Sequence, residues 1–263
     1  MIRYGNTESS ALNVQVRVVV AIMLREIQTR FGEFKAGYIW AILEPLVHTL
    51  SFAFIISFFS HSAPLGEHVH IFVATAVVPF FFWREVISRT ESAVRANAAL
   101  MYFPIVKPID AIIARFILEF MTWTIISTIV VGVLILLGFA DAPQSVLGCL
   151  TVLFILSIHG LGIGLLNYAI SNYSHMWEKV FHVCLRPVYL ASGIMFLPER
   201  LPTDAQYWLW FLPTAHLFDW IREYYFEGYT STFLSKPYVL ISALVMIGIG
   251  LLLERMQRRH FEG

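Results

Sequence analysis

The stretch VLGCLTVLFILSIHGLGIGLLNYAI, residues 146–170, contains no Asp, Glu, Lys or Arg. A helix needs about 20 mostly apolar residues to cross the hydrocarbon core of a bilayer, so this segment predicts a transmembrane helix. The whole chain agrees with that solvent: 58% of its 263 residues are hydrophobic and 14% are charged, with a mean hydropathy of +0.70. Soluble domains carry about a quarter charged residues. The 22 Phe, 11 Tyr and 7 Trp exceed what a soluble core of this size requires and suit rings placed at lipid–water boundaries.

Working outward, five further segments read as spans: 36–60, 69–88, 110–140, 180–198 and 237–255. The segment 69–88 carries Arg84 and Glu85 near one end, where long side chains snorkel to the headgroups. The segment 180–198 carries Arg186 followed by Pro187. A seventh apolar stretch, 207–221, is short and interrupted by Pro213, His216 and Asp219. Within the region 199–235 it reads as a re-entrant or interfacial helical hairpin, tolerable at depth where protein or water covers the backbone. Ahead of the first span, Val16, Val19, Val20, Met23, Ile27 and Phe31 share one side of a helix over 12–31. Arg17, Arg25 and Gln28 oppose them, the pattern of an interfacial amphipathic helix. The expected fold is an all-α membrane protein, one domain over 1–263, with six transmembrane helices, an N-terminal interfacial helix and a re-entrant hairpin before the last span.

Orientation follows from Lys and Arg. Arg3, Arg17, Arg25, Arg30 and Lys35 precede the first span. Arg84, Arg89, Arg95 and Lys107 follow the second, Lys179 lies in the next loop on that side, and Arg255, Arg258 and Arg259 end the chain. The short loops 60–68 and 141–145 have no Lys or Arg. The positive-inside tendency therefore places both termini in the cytoplasm of an inner membrane. The apolar run 18–24 is too short for a signal-peptide core, so the N-terminal segment reads as retained. Zero net charge gives no indication of nucleic acid as a partner, and Cys149 and Cys184, far apart in apolar stretches, read as packing residues.

No phosphate-binding G-x-x-x-x-G-K-[ST] loop, nucleophile elbow, H-E-x-x-H or clustered Cys/His set is present, so neither ATP nor a metal is expected on this chain. His159 and His182 read as packing or surface residues. Gly160 and Gly164 form a G-x-x-x-G that permits close helix packing. The loop RTESAVRANAALMYFPIVKP (89–108) is either an ordinary connection or a short helix that docks in a partner's groove. Among intramembrane charges, Arg115 and Glu119 are spaced to pair with each other, Glu44-Pro45 marks a bend, and Arg186 lacks a sequence neighbour to pair with. The rings of Tyr207, Trp208, Trp210, Trp220, Tyr224 and Tyr225, with His216, Asp219 and Arg222, are either an outer aromatic belt or a surface on which sugars stack.

The runs LREIQTRFGEFKAGYIWAILEP (24–45) and FPIVKPIDAIIAR (103–115) resemble segments of the ABC-2 type permeases that export capsular polysaccharide. RPVYLASGIMFLPERLP (186–202) is similar more loosely. The resemblance implies a homodimer with two copies of a separate ATPase that binds ATP and Mg, docked on the loop after the second span through Arg89, Glu91, Arg95, Met101, Tyr102 and Phe103. It implies a lipid-linked acidic glycan as cargo, for which Arg25, Arg30, Lys35, Lys107, Arg115 and Arg186 are the candidate contacts, with Trp40 beside them. The resemblance is loose over 203–235, where the residues themselves offer Trp208, His216, Trp220, Arg222 and Tyr224 as a sugar-stacking exit. A periplasmic adaptor and an outer-membrane channel are implied as further partners, beside the membrane lipids. Two alternatives stand: an ABC-2 permease for O-antigen or teichoic acid, and a membrane-embedded transferase acting on lipid-linked sugars through the carboxylates of Asp219 and Glu223.

Overall fold

A computed structural model of the protein describes residues 11–33, 36–59 and 62–262. Among these, all regular structure is helical: α1 (Ala11–Glu33), α2 (Ala36–Phe59), α3 (Val69–Glu91), a one-turn α4 (Ala93–Ala96), α5 (Pro108–Leu136), α6 (Val146–Ser171), α7 (His175–Ala191), α8 (Thr203–Trp210), α9 (Pro213–Tyr225) and α10 (Lys236–Glu262). Five of them contain stretches long and apolar enough to cross a membrane: Ile42–Phe59, Val69–Glu91, Pro108–Leu136, Val146–Ser171 and Lys236–Met256.

The hub is α3. Its sequence is apolar around most of the circumference, and a helix of that kind is buried. Phe72, Phe81, Phe82, Val86 and Ile87 are enclosed as α3 packs on α2, α5, α6 and α9. Lipid tails are as apolar as Leu, so helices associate in a bilayer through close van der Waals packing rather than water exclusion. That packing explains the glycines of α6. A Cβ added at Gly164 would lie 2.6 Å from Thr90 Cβ, and one at Gly160 3.3 Å from the Trp83 carbonyl. The G-x-x-x-G thus lets α6 approach α3. On the other side of α6, Gly162 meets Met246 of α10 at 2.8 Å by the same measure.

The segment predicted as a span over 180–198 is instead built as α7, which begins earlier and stops at Ala191. At 17 residues it rises about 26 Å, against roughly 30 Å of hydrocarbon. The chain then turns at Gly193, whose φ of +85° suits a residue without a Cβ. At Glu44-Pro45, α2 runs through Pro45 as one helix. The region 199–235 holds two short helices, α8 and α9, joined through Phe211 and Leu212.

Candidate functional site

Three assemblies carry the polar chemistry. The first lies where α1, α4 and α5 meet. Glu26 is buried on α1, and its Oε1 accepts Nε of Arg115 at 2.7 Å and Nδ2 of Asn97 at 2.7 Å. Arg115 also donates to Ser92 Oγ at 3.1 Å. Arg25 donates to Asn97 Oδ1 at 3.3 Å. The local pair expected between Arg115 and Glu119 gives way to these long-range partners, and Glu119 lies 3.9 Å from Arg89. A buried guanidinium needs a full countercharge, and Glu26, 89 positions away, supplies it more completely than a neighbour on its own helix. Arg115 is thus a tie between α5, α1 and the loop following α3. Lys107 starts α5: its backbone amide donates to Asp110 Oδ2 at 2.8 Å, and Pro108 occupies the first helical turn, where its missing N–H costs nothing.

From this braced base the loop projects Tyr102, 88% exposed, with Phe103 and Ile105 also exposed. Met101 is half-buried against α5 and Arg95 is exposed, with its Nη2 on Glu178 at 2.7 Å. Glu91 does not face outward as a docking contact: it is 1% exposed and accepts the Ser171 hydroxyl at 3.2 Å. Arg89 is exposed and bonds Glu85 at 3.1 Å.

The second assembly is a cavity of about 520 Å³ between α2, α3 and α7, lined by His48, Phe81, Arg84, His182, Arg186 and Tyr189 among others. His48 Nδ1 and the Tyr189 hydroxyl are hydrogen-bonded at 3.2 Å. Arg84 does not snorkel away from the helices. It reaches across to Glu44 at 3.3 Å, stays 3.6 Å from Glu85, and lies 4.4 Å over the Phe81 ring. Arg186 is exposed on this face and makes no ion pair among the described residues. A surface carrying Glu44, Arg84, Arg186 and two histidines is poorly suited to lipid. It suits water, a second protein surface or an anionic solute. Trp40 is exposed near the start of α2. Lys35 lies outside the described residues, as does the side chain of Arg30.

The third assembly is α8–α9, and it corrects the reading of an aromatic exit. Trp208 and Tyr207 on α8 are exposed, but His216, Trp220 and Arg222 on α9 are buried within the chain, and Tyr224 is half-buried. Arg222 has no exposed surface. Its Nη2 donates to the Gly193 carbonyl at 2.6 Å, its Nε to Thr75 at 3.4 Å, Asp219 lies 3.6 Å away and the Phe72 ring sits 4.2 Å below. It therefore fastens the end of α7 to α9 and α3. His216 accepts the Ser235 amide on Nδ1 at 3.3 Å, so its Nε2–H donates to the Trp210 carbonyl at 2.8 Å. Burial is the chief force lowering its pKa, in keeping with a neutral ring that locks α9 to both flanking segments. The two carboxylates weighed for transferase chemistry are occupied separately. Asp219 takes Arg222 and the hydroxyls of Ser231 and Tyr229, while Glu223 takes Lys236 at 2.7 Å.

Sequence reasoning missed Glu26, Asn97, His48 and Tyr189. Glu26 carried a usable signal, an acid among the basic residues of a helix otherwise read as interfacial. The pairing of His48 with Tyr189 spans 141 positions and leaves no trace in local pattern.

Comparison with known proteins places the sequence in a family. Residues 17–226 match the ABC-2 type transporter family. The polysialic acid transport protein KpsM of Escherichia coli is 34% identical over 248 residues, 94% of this chain and 95% of that protein. The capsule polysaccharide export inner-membrane protein BexB of Haemophilus influenzae is 28% identical over 255 residues, 96% of each chain. Its counterpart CtrC of Neisseria meningitidis is 27% identical over 241 residues, covering 92% of this chain and 91% of that protein. With a match over most of its length and several spanning helices, this chain belongs to the ABC-2 type transporter family and is a non-enzymatic membrane subunit of an ABC transporter.

Proposed function

We propose that this chain exports a lipid-linked, acidic capsular polysaccharide across the inner membrane, as a homodimer driven by two copies of a separate ATPase that binds ATP and Mg. The observation that carries the reading is the cavity between α2, α3 and α7, where Arg84, Arg186 and two histidines stand among aromatic rings. Pairing two such faces in a homodimer would enclose charges that lipid cannot accept and line a conduit with cations and stacking surfaces. The relatives named for polysialic acid transport and capsule export support an anionic glycan over other cargo.

In this reading α7 makes the sixth crossing, aided by the turn at Gly193, so that both termini share the cytoplasmic side. The α8–α9 pair forms the re-entrant hairpin before α10. Tyr102, Phe103 and Arg95 meet the ATPase, and the Glu26–Arg115–Asn97 network transmits its movement to α1 and α5. ATP must favour one arrangement of these helices over the other for the cycle to run. A periplasmic adaptor and an outer-membrane channel receive the product.

The test is reconstitution of the chain with its ATPase, comparing wild type with Arg186→Glu. The variant is expected to keep its melting temperature and its bound ATPase while glycan export falls by at least about tenfold, a change of roughly 1.4 kcal/mol. Export at the wild-type rate would remove the cavity from the path.

A further inference from the structure

A site at the margin of that cavity, which His182 also lines, combines residues that sequence order keeps apart. Glu91, at the end of α3, meets Glu178 and His182, one turn apart on α7. One ligand atom from each lies within 4.8 Å of the others. The Glu91 carboxylate is almost wholly buried. Its Oε1 receives the Ser171 hydroxyl, but Oε2 has no hydrogen-bond partner and faces His182 Nε2 at 3.5 Å. That spacing is close to the edge of a zinc tetrahedron, roughly 3.4 Å for bonds of about 2.1 Å. Glu178 and His182 are a third exposed, so the site opens to solvent on one side. The countercharge within reach is Arg95, whose Nη2 takes Glu178 Oε2 at 2.7 Å and is itself half-exposed.

We propose that Glu91, Glu178 and His182 bind a divalent first-row transition ion of the zinc class, with water completing the coordination. A single imidazole with two carboxylates selects such ions over calcium or magnesium, which prefer all-oxygen shells. An ion there supplies the charge that the buried Oε2 lacks, and a desolvated carboxylate without a countercharge is costly. It also clamps the end of α3 to α7. Any effect of the clamp on transport rests on the reading above; the binding itself does not.

The full-length chain, purified in detergent with a tag free of histidine and stripped of metal, is equilibrated with Zn2+ and assayed for bound metal after gel filtration. Co2+ is used in parallel for its visible spectrum. One ion per chain is expected, lost in His182→Ala and in Glu178→Gln, with the metal-free melting temperatures unchanged. Arg95→Ala is expected to retain the ion at least as tightly, because it frees Glu178. Glu91→Gln is left out of the decision because a buried change at the α3 end can unfold the protein. Equal Zn2+ in wild type and His182→Ala, no retained ion, or weaker binding in Arg95→Ala would overturn the site.

Discussion

Arg222 and Arg186 carry the same charge, and the sequence offers both as contacts for an anionic cargo. The structure treats them in opposite ways. Arg222, on α9, is fully enclosed and meets a helix-end carbonyl, a hydroxyl, a carboxylate and an aromatic ring. Arg186, on α7, stands exposed at a cavity and makes no ion pair among the described residues. A guanidinium whose charge is spent inside the chain holds the fold together. One left without an anion, on a face poorly suited to lipid, is available to a ligand. The same division recurs at the other end of the molecule. There Arg115 is spent on Glu26, while Tyr102 and Phe103 project beyond the bracing they share a loop with.

The largest effect should come from breaking the closed side. Arg222→Ala leaves Asp219 buried without its cation and the end of α7 without its donor. A cost of about 3–5 kcal/mol is expected, visible as loss of a cooperative melting transition in detergent. Arg222→Lys should not restore it, because one ammonium cannot reach Gly193, Thr75 and Asp219 at once as a planar fork does. A well-folded Arg222→Ala protein that had lost export would instead make Arg222 an open residue like Arg186.

How far the sequence reveals this division depends on the range of the interactions. The spans over 146–170 and 69–88 were legible because length and apolarity are local properties, as was the G-x-x-x-G that seats α6 on α3. Arg186 was legible as a charge without a local partner. Arg222 was not distinguishable from it, since Thr75 and Gly193 lie 147 and 29 positions away. Arg115 misled for a related reason: Glu119 is a neighbour by helical period, and Glu26 is a neighbour through packing alone. The helix within 180–198 ends earlier than the apolar pattern, which continues past Ala191, because the chain turns at Gly193 in a way that hydropathy does not register.

A smaller effect should separate the bracing from the projecting tip of the loop between α3 and α5. Tyr102→Ala combined with Phe103→Ala removes exposed rings that touch little of this chain, so the melting temperature should hold. Binding to the ATPase should weaken by about 1–2 kcal/mol, the usual cost of truncating an interface anchor, read as loss of the partner on gel filtration at low concentration. Unchanged binding would move the docking contact away from the loop tip.

The smallest effect belongs to Trp208, and it sharpens the comparison within a single aromatic cluster. Trp208 on α8 is 74% exposed, whereas Trp220 on α9 is 6% exposed and packed in the core with Phe218 and Ile221. Removing a buried indole costs about 3–5 kcal/mol in lost packing and cavity formation; removing an exposed one changes stability by less than about 0.5 kcal/mol. Melting in detergent should therefore register Trp220→Ala and leave Trp208→Ala near wild type. Equal losses would mean that α8 is covered in the assembled protein, joining the closed side with Arg222. A silent Trp208→Ala would leave its ring facing outward, where it can anchor to headgroups or stack on a sugar.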